Sequence, residues 1–346
     1  MIAFIASAAV TGVRGSFGNR LTGDEPEYML TAISLAEDAD LNIADEHAAK
    51  RYRPFHQSRL PAQALKKPGP VMVSPHDPLL SALLAVPVAA GGWIGAKLFM
   101  AATAAILAAA TLWTAVVRFK APLGAASVVT GLFAASAPLA VYGSQVYPEI
   151  PAALAVVVGV AAVSGPLGTR GLFALAASVL ALPWLGIKYT PVAAVLAALA
   201  LYRLARGGRV AAGVKLAGVL LIAGLTYAAA HQAWYGGWTV YASGEHFAEA
   251  GEFSAVGKAP NLAARSTRLA GLLIDRRFGL VPWQPAWVLA PAALVALIRR
   301  RADDWQALIL PLAAGWLFAV FAAVTMHGWW WPGRHALVVL PLAVIA

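Results

Sequence analysis

The chain has no cysteine. That excludes disulfides, thiolate nucleophiles and thiolate metal sites. Charge is scarce too. Only 12% of residues are Asp, Glu, Lys or Arg, where a soluble domain carries about a quarter. There is no Gly-rich nucleotide loop of the Walker or dinucleotide-binding kind, and no His pair at the helical spacing of a zinc site. An ATP-driven pump is therefore not expected, and no metal site built on histidine. No tandem repeat and no linker divides residues 1–346, which read as a single membrane domain.

What fills the chain is apolar surface. Hydrophobic residues make up 60% of it, and the mean hydropathy is +0.70. A soluble fold of this length cannot hide so much, so lipid must cover it. Helices and closed barrels are the two ways to satisfy the backbone in lipid. A barrel needs period-two alternation. These runs are continuous and rich in Ala and Leu, so they read as helices. The formal charge of +10 then belongs to Lys and Arg that flank membrane segments near anionic headgroups. Membrane lipids are expected partners and nucleic acid is not.

The expectation is an all-α, polytopic transmembrane bundle of roughly ten passes. Residues 1–13 are apolar but short, with no basic residue ahead of them; they are a poor signal peptide and read as the first span. Residues 14–78 form a long polar first loop with short interfacial helices, one over 27–38 with Tyr28, Leu30, Ile33 and Leu35 as its apolar positions. The run 79–90 is too short to span and ends at Gly91-Gly92, as a re-entrant helix would. Further spans are expected over 93–117, 123–141, 150–163, 171–187, 190–204, 210–230, 282–298 and 305–325, with a second polar loop at 231–279. The final run, 335–346, rises only about 16 Å as a helix, so this span is expected to continue in a longer natural chain.

Charge sets the orientation. With the N-terminus in the cytoplasm, Arg118 and Lys120, Arg170, Arg203 to Lys215, and Arg299 to Arg301 all fall inside, in short loops with few acids. The first loop, 142–149, Lys188, the second loop and 326–335 then fall outside.

The outer segments hold nearly all the unusual polar residues. Gly23-Asp24-Glu25-Pro26-Glu27-Tyr28 offers a carboxylate that can act as a general base or bind a divalent cation. Asp24 or Glu25 can equally cap the helix that Pro26 begins. Ser74-Pro75-His76-Asp77-Pro78 offers a His for phosphate contact or proton relay, or a Ser or Asp cap. In Tyr142-Gly143-Ser144-Gln145-Val146-Tyr147-Pro148-Glu149, Glu149 suits a helix N-terminus, and Tyr147 and Glu149 suit a sugar hydroxyl. Lys188-Tyr189 sits between two apolar runs, where a cation is costly and usually functional; snorkelling is the plainer account. The second loop carries His231, Trp234, His246 and Arg276. Rings stack on sugar C–H faces and Arg forks suit phosphate; an interfacial aromatic belt is the alternative. The last segment, His327-Gly328-Trp329-Trp330-Trp331-Pro332-Gly333-Arg334-His335, adds Arg334 for an anionic headgroup.

In their order along the chain, the acidic motif at 23–28, the His/Pro entry to a short helix at 74–80, Lys188-Tyr189, and the aromatic Gly-Arg segment at 329–334 resemble the GT-C superfamily of membrane glycosyltransferases. That broad group includes the dolichyl-phosphate-mannose protein mannosyltransferases and the aminoarabinose transferases. The resemblance covers most of the chain. It implies a sugar carried on a polyprenyl phosphate and an extracytoplasmic glycan, lipid or protein acceptor. It also implies an inverting transfer in which a first-loop carboxylate is the base. Carried over, Asp24 is the base and Glu25 the alternate. Lys188, Arg334 and Arg276 would hold the donor phosphate. Tyr28, His76, Asp77, Tyr147, Glu149, Tyr189, His231, Trp234, His246 and His327 would line the substrate. Many members carry a soluble outer domain at the C-terminus, and none is present in residues 1–346. The Ala-rich, Arg-rich composition resembles actinobacterial proteins, which suits cell-envelope polysaccharide assembly. Two other classes compete with this reading: a transporter or flippase of a lipid-linked or anionic substrate, and a non-catalytic envelope scaffold. The scaffold class requires that Asp24 lie far from Lys188 and Arg334.

Overall fold

The computed structural model describes all residues except 16–17, 64, 67–68, 240–260, 302, 324–325 and 329, with the backbone alone at 65 and 66. The described chain is mostly helical. A two-stranded antiparallel ribbon of Leu65–Lys66 (β1) and Met72–Val73 (β2) lies in the first loop.

The N-terminal run forms α1 (Ile2–Ala8), of seven residues. That is about 10 Å of helix, so the expected first span is not made there. The chain leaves α1 through turns and enters the polar loop instead. The loop is folded, not slack. α2 (Glu25–Glu37) buries its first ten residues and packs along the long helix that follows. A one-turn helix, α3 (Ala44–Ala48), completes this region.

That long helix is α4 (Leu79–Val117), broken in the middle at Gly91 and Gly92. Gly92 has φ 55° and ψ −143°, a conformation that only Gly adopts readily. Pro87 lies one turn earlier and lacks the N–H that would continue the ladder. The expected short helix at 79–90 is therefore the first limb of α4. Among the described residues the remaining α-helices are α5 (Leu123–Ala134), α6 (Leu139–Tyr142), α7 (Glu149–Val163), α8 (Thr169–Leu185), α9 (Thr190–Arg206), α10 (Val210–Tyr235), α11 (Leu262–Ser266), α12 (Arg268–Ile274), α13 (Ala290–Arg300), α14 (Trp305–Phe321) and α15 (Leu340–Ile345). The expected span at 123–141 is thus divided between α5 and α6.

Among the described residues, three helical stretches are long and apolar enough to cross a membrane: Leu79–Val117, Ile187–Arg206 and Val210–Tyr235. The expected ten passes are not supported by this measure. Leu123–Ala134, Glu149–Val163, Thr169–Leu185 and Trp305–Phe321 are apolar but shorter. On α10, Leu221, Ile222 and Leu225 are each more than 60% exposed, and that is the surface lipid would cover. Membrane association follows.

The core centres on α7. Ala152, Ala153, Val156, Val157 and Val160 are fully buried, and these small side chains let α4, α8, α9 and the turn Leu337–Val339 pack close around it. The connections gather at two ends. At one, Arg118 donates to the Ala161 carbonyl (2.9 Å), Arg209 to the Leu167 carbonyl (2.6 Å), and Arg203 lies 3.8 Å from Asp304. At the other, segments 22–28, 74–77, 142–149, 187–189 and 331–336 meet, as the contacts below describe.

Candidate functional site

α2 begins at Asp24, and Pro26 sits in its first turn. Gly23 makes the entry possible. Its φ is +62°, and a Cβ there would lie 2.6 Å from the Tyr147 hydroxyl oxygen. Through this close approach the Asp24 amide donates to the Tyr147 hydroxyl (3.3 Å), which donates to the Thr22 carbonyl (3.4 Å).

The two adjacent acids then part. Glu25 is 3% exposed, and its two oxygens accept from the backbone amides of Val146 (2.8 Å) and Thr22 (2.9 Å). It fastens the 142–149 turn to the first loop, and burial pushes its carboxyl above the ordinary value. Asp24 makes no side-chain cap bond. Its Oδ2 accepts from Arg334 Nη2 at 2.9 Å and lies 3.9 Å from His76 Nε2, with 28% of the side chain exposed. Burial works to raise this carboxyl. The charge of Arg334, then those of His76 and Lys188, and the Arg334 hydrogen bond outweigh it and hold the group below the usual carboxylate value.

Arg334 continues the chain of contacts. Its Nε donates to Glu149 Oε1 at 2.9 Å, and its guanidinium lies 4.3 Å from the Tyr147 ring centroid. Glu149 is the first residue of α7 and fully buried. The same Oε1 accepts from Lys188 Nζ at 2.9 Å, and Glu149 Oε2 is buried without a hydrogen-bond partner. Lys188 is 23% exposed and sits 5.1 Å over the Tyr189 ring. Two acids and two cations thus alternate as Asp24, Arg334, Glu149 and Lys188, drawn from positions up to 310 residues apart.

The motif at 74–78 serves two places. His76 bonds Ser74 Oγ through Nδ1 (2.9 Å) and packs its ring 4.5 Å from that of Tyr28. Burial pushes this imidazole down despite the facing carboxylates. Asp77 turns away. Its Oδ2 accepts from the Ile187 amide (3.0 Å), next to Lys188, and its Oδ1 accepts from Tyr227 (2.8 Å) and pairs with His231 Nε2 (2.9 Å). Tyr235 donates to the His76 carbonyl (3.0 Å). Asp77 therefore fixes the turn that presents Lys188, and the C-terminal end of α10 fixes the loop that presents His76.

Of the expected residues, Asp24, Tyr28, His76, Tyr147, Glu149, Lys188, Tyr189 and Arg334 come together. Asp77 and His231 form a buried tie beside them. Trp234 packs against Trp184, 6.0 Å between centroids, at the edge of that tie. Arg276 is exposed on the turn after α12, and His327 lies there too, 3.7 Å from Asp275 and 4.8 Å from the Phe278 ring. The hydrogen bonds and ion pairs of the Asp24 cluster given above are made by other residues. His246 lies outside the described residues. Sequence reasoning did not single out Tyr227, whose one-turn spacing from His231 is the signal, or Tyr142, whose hydroxyl donates to the Trp331 carbonyl (2.7 Å) and anchors the Arg334 segment.

No family model matches the chain, and no curated protein or solved structure is similar to it.

Proposed function

We propose that this is a polytopic membrane glycosyltransferase of the GT-C kind. It moves a sugar from a polyprenyl-phosphate donor to an acceptor hydroxyl on the extracytoplasmic face, with inversion. The reading rests on one observation: a partly exposed carboxylate, Asp24, lies in a contact chain with two cations, Arg334 and Lys188. Proton removal and phosphate stabilisation need those groups side by side.

In this mechanism Asp24 takes the proton of the acceptor hydroxyl as its oxygen attacks the anomeric carbon. The bond from that carbon to the phosphate oxygen breaks, and the electron pair leaves with the polyprenyl phosphate. Lys188 and Arg334 receive the charge. At rest Arg334 lowers the basicity of Asp24. Drawing the guanidinium toward an incoming phosphate relieves that and prepares the base. Glu149 holds both cations until then. In this reading the shorter apolar helices α7, α8 and α14 also cross the bilayer, by local thinning.

The test is transfer from a panel of polyprenyl-phosphate sugars on the outer face of membranes containing the protein. Asp24→Asn abolishes transfer and leaves the fold intact. Full activity in that variant, with Glu25→Gln also active, overturns the mechanism. The broken helix α4 favours a second reading, since transporters use discontinuous helices at their sites. It predicts substrate movement with no new glycosidic bond.

A further inference from the structure

The far end of α2 gathers acids. Glu37 closes the helix, Asp38 is its C-cap and Asp40 follows. A helix C-terminus carries partial negative charge and favours cations, so carboxylates there are misplaced by themselves. α3 adds Asp45 and Glu46. Asp38, Asp45 and Glu46 each offer one carboxylate oxygen, and the three atoms lie within 4.8 Å of one another.

The neighbouring groups are already engaged. Glu37 accepts from both terminal nitrogens of Arg51, which occupies the nearby guanidinium. Asp40 Oδ1 accepts from the Ser34 hydroxyl and the Asn42 amide, both at 2.8 Å. Glu46 is different. It is 2% exposed, and its Oε2 is buried without a hydrogen-bond partner. Burial first, and then Asp45 and Asp38, push its carboxyl up to about 7. A buried carboxylate beside two others, with an oxygen unused, is the charge pattern of a cation site.

We propose that Asp38, Asp45 and Glu46 bind calcium. The donors are all carboxylate oxygens, which select a hard divalent cation. Asp38 and Asp45 are exposed, leaving water to complete an irregular shell. Calcium accepts such a shell, and magnesium, which demands a near-ideal octahedron, does so poorly. The ion joins the C-cap of α2 to α3. It sits at the opposite end of α2 from Asp24, about 20 Å away along a helix of this length. It is therefore distinct from the Asp24 cluster, and it clamps the helix on which Asp24 is mounted. The assignment does not depend on the transferase reading.

The test uses the full chain in detergent micelles, stripped with a chelator and titrated calorimetrically with calcium chloride, then with magnesium chloride. One calcium per chain is expected, with affinity in the roughly 10⁻⁴–10⁻³ M range of extracellular modules. The unfolding temperature should climb with calcium concentration as mass action requires. Asp38→Asn and Asp45→Asn, both at exposed positions, should each weaken binding about tenfold or more through loss of ligand charge. Glu46→Gln should raise the unfolding temperature of the metal-free protein and remove its response to calcium. Asp303→Asn, an exposed acid far along the chain, should change nothing. Three results would overturn the proposal: no saturable calcium binding, binding by Asp38→Asn and Asp45→Asn as tight as that of the native chain, or magnesium held as tightly as calcium.

Discussion

The two ends of the helical array handle charge in opposite ways. At the end rich in Arg, side chains donate to backbone carbonyls, Arg118 from the C-cap of α4 to Ala161 and Arg209 from the N-cap of α10 to Leu167. The Arg203–Asp304 pair there is more than a third exposed on both sides. Such contacts cost little desolvation. At the other end the acids stand at helix N-termini, Asp24 before α2 and Glu149 opening α7. They meet cations side chain to side chain, with Glu149 fully buried. Burying charges is expensive even when they are paired. The transferase reading proposed above gives that expense a use.

That contrast can be broken in order of expected effect. Asp24→Asn should lower sugar transfer by at least about 10²-fold, the scale of a lost general base, with the elution volume in micelles unchanged. Glu149→Gln should destabilise the fold by about 2–3 kcal/mol, because it takes the shared anion from Lys188 and Arg334, which are only partly exposed. Adding Lys188→Met should recover part of the lost unfolding temperature. Gly23→Ala should cost about 1–2 kcal/mol, since it puts a Cβ at positive φ against the Tyr147 hydroxyl. Asp304→Asn, at the Arg-rich end, should cost less than about 1 kcal/mol. An equal loss from Asp304→Asn and Glu149→Gln would erase the distinction.

Acidity sharpens it further. His76 has a lowered pKa in the fold, so the unfolded chain takes up a proton first. The stability from keeping it neutral is complete above about 6.5 and is lost as pH falls below that value. Asp24 also has a lowered pKa. Its contribution is present above the unfolded carboxylate value and disappears only as pH falls through the folded one. Glu46 and Glu25, whose carboxyls are raised in the fold, gain stability as pH falls and oppose this trend. Between pH 7 and 5 the native chain should therefore lose unfolding temperature relative to His76→Gln, and the further loss at lower pH should be the same in both.

Much of this was legible in the chain. Unbroken Ala and Leu runs dictate helices, Gly91-Gly92 breaks one of them, and Pro26 with its flanking acids starts α2. The expectation that 23–28, 74–78, 142–149, 188 and 331–335 share one side agrees with their meeting at one end. The number of passes was not legible, because a run such as 123–141 looks continuous in composition yet divides around Pro138 into α5 and α6. Nor were the roles of neighbouring acids. Asp24 and Glu25 are chemically alike and adjacent, and only the position of the Val146 amide commits Glu25 to structure and leaves Asp24 to Arg334.

What the amino-acid order determined by itself is hydropathy and the sign of charge at each turn, since both act locally through solvent and lipid. What the tertiary structure decided is pairing. Glu149 could cap a helix in any sequence of this kind. It became the anion shared by Lys188 and Arg334 only because α7 is packed at the centre, where its first residue is reached from two distant segments and from no water.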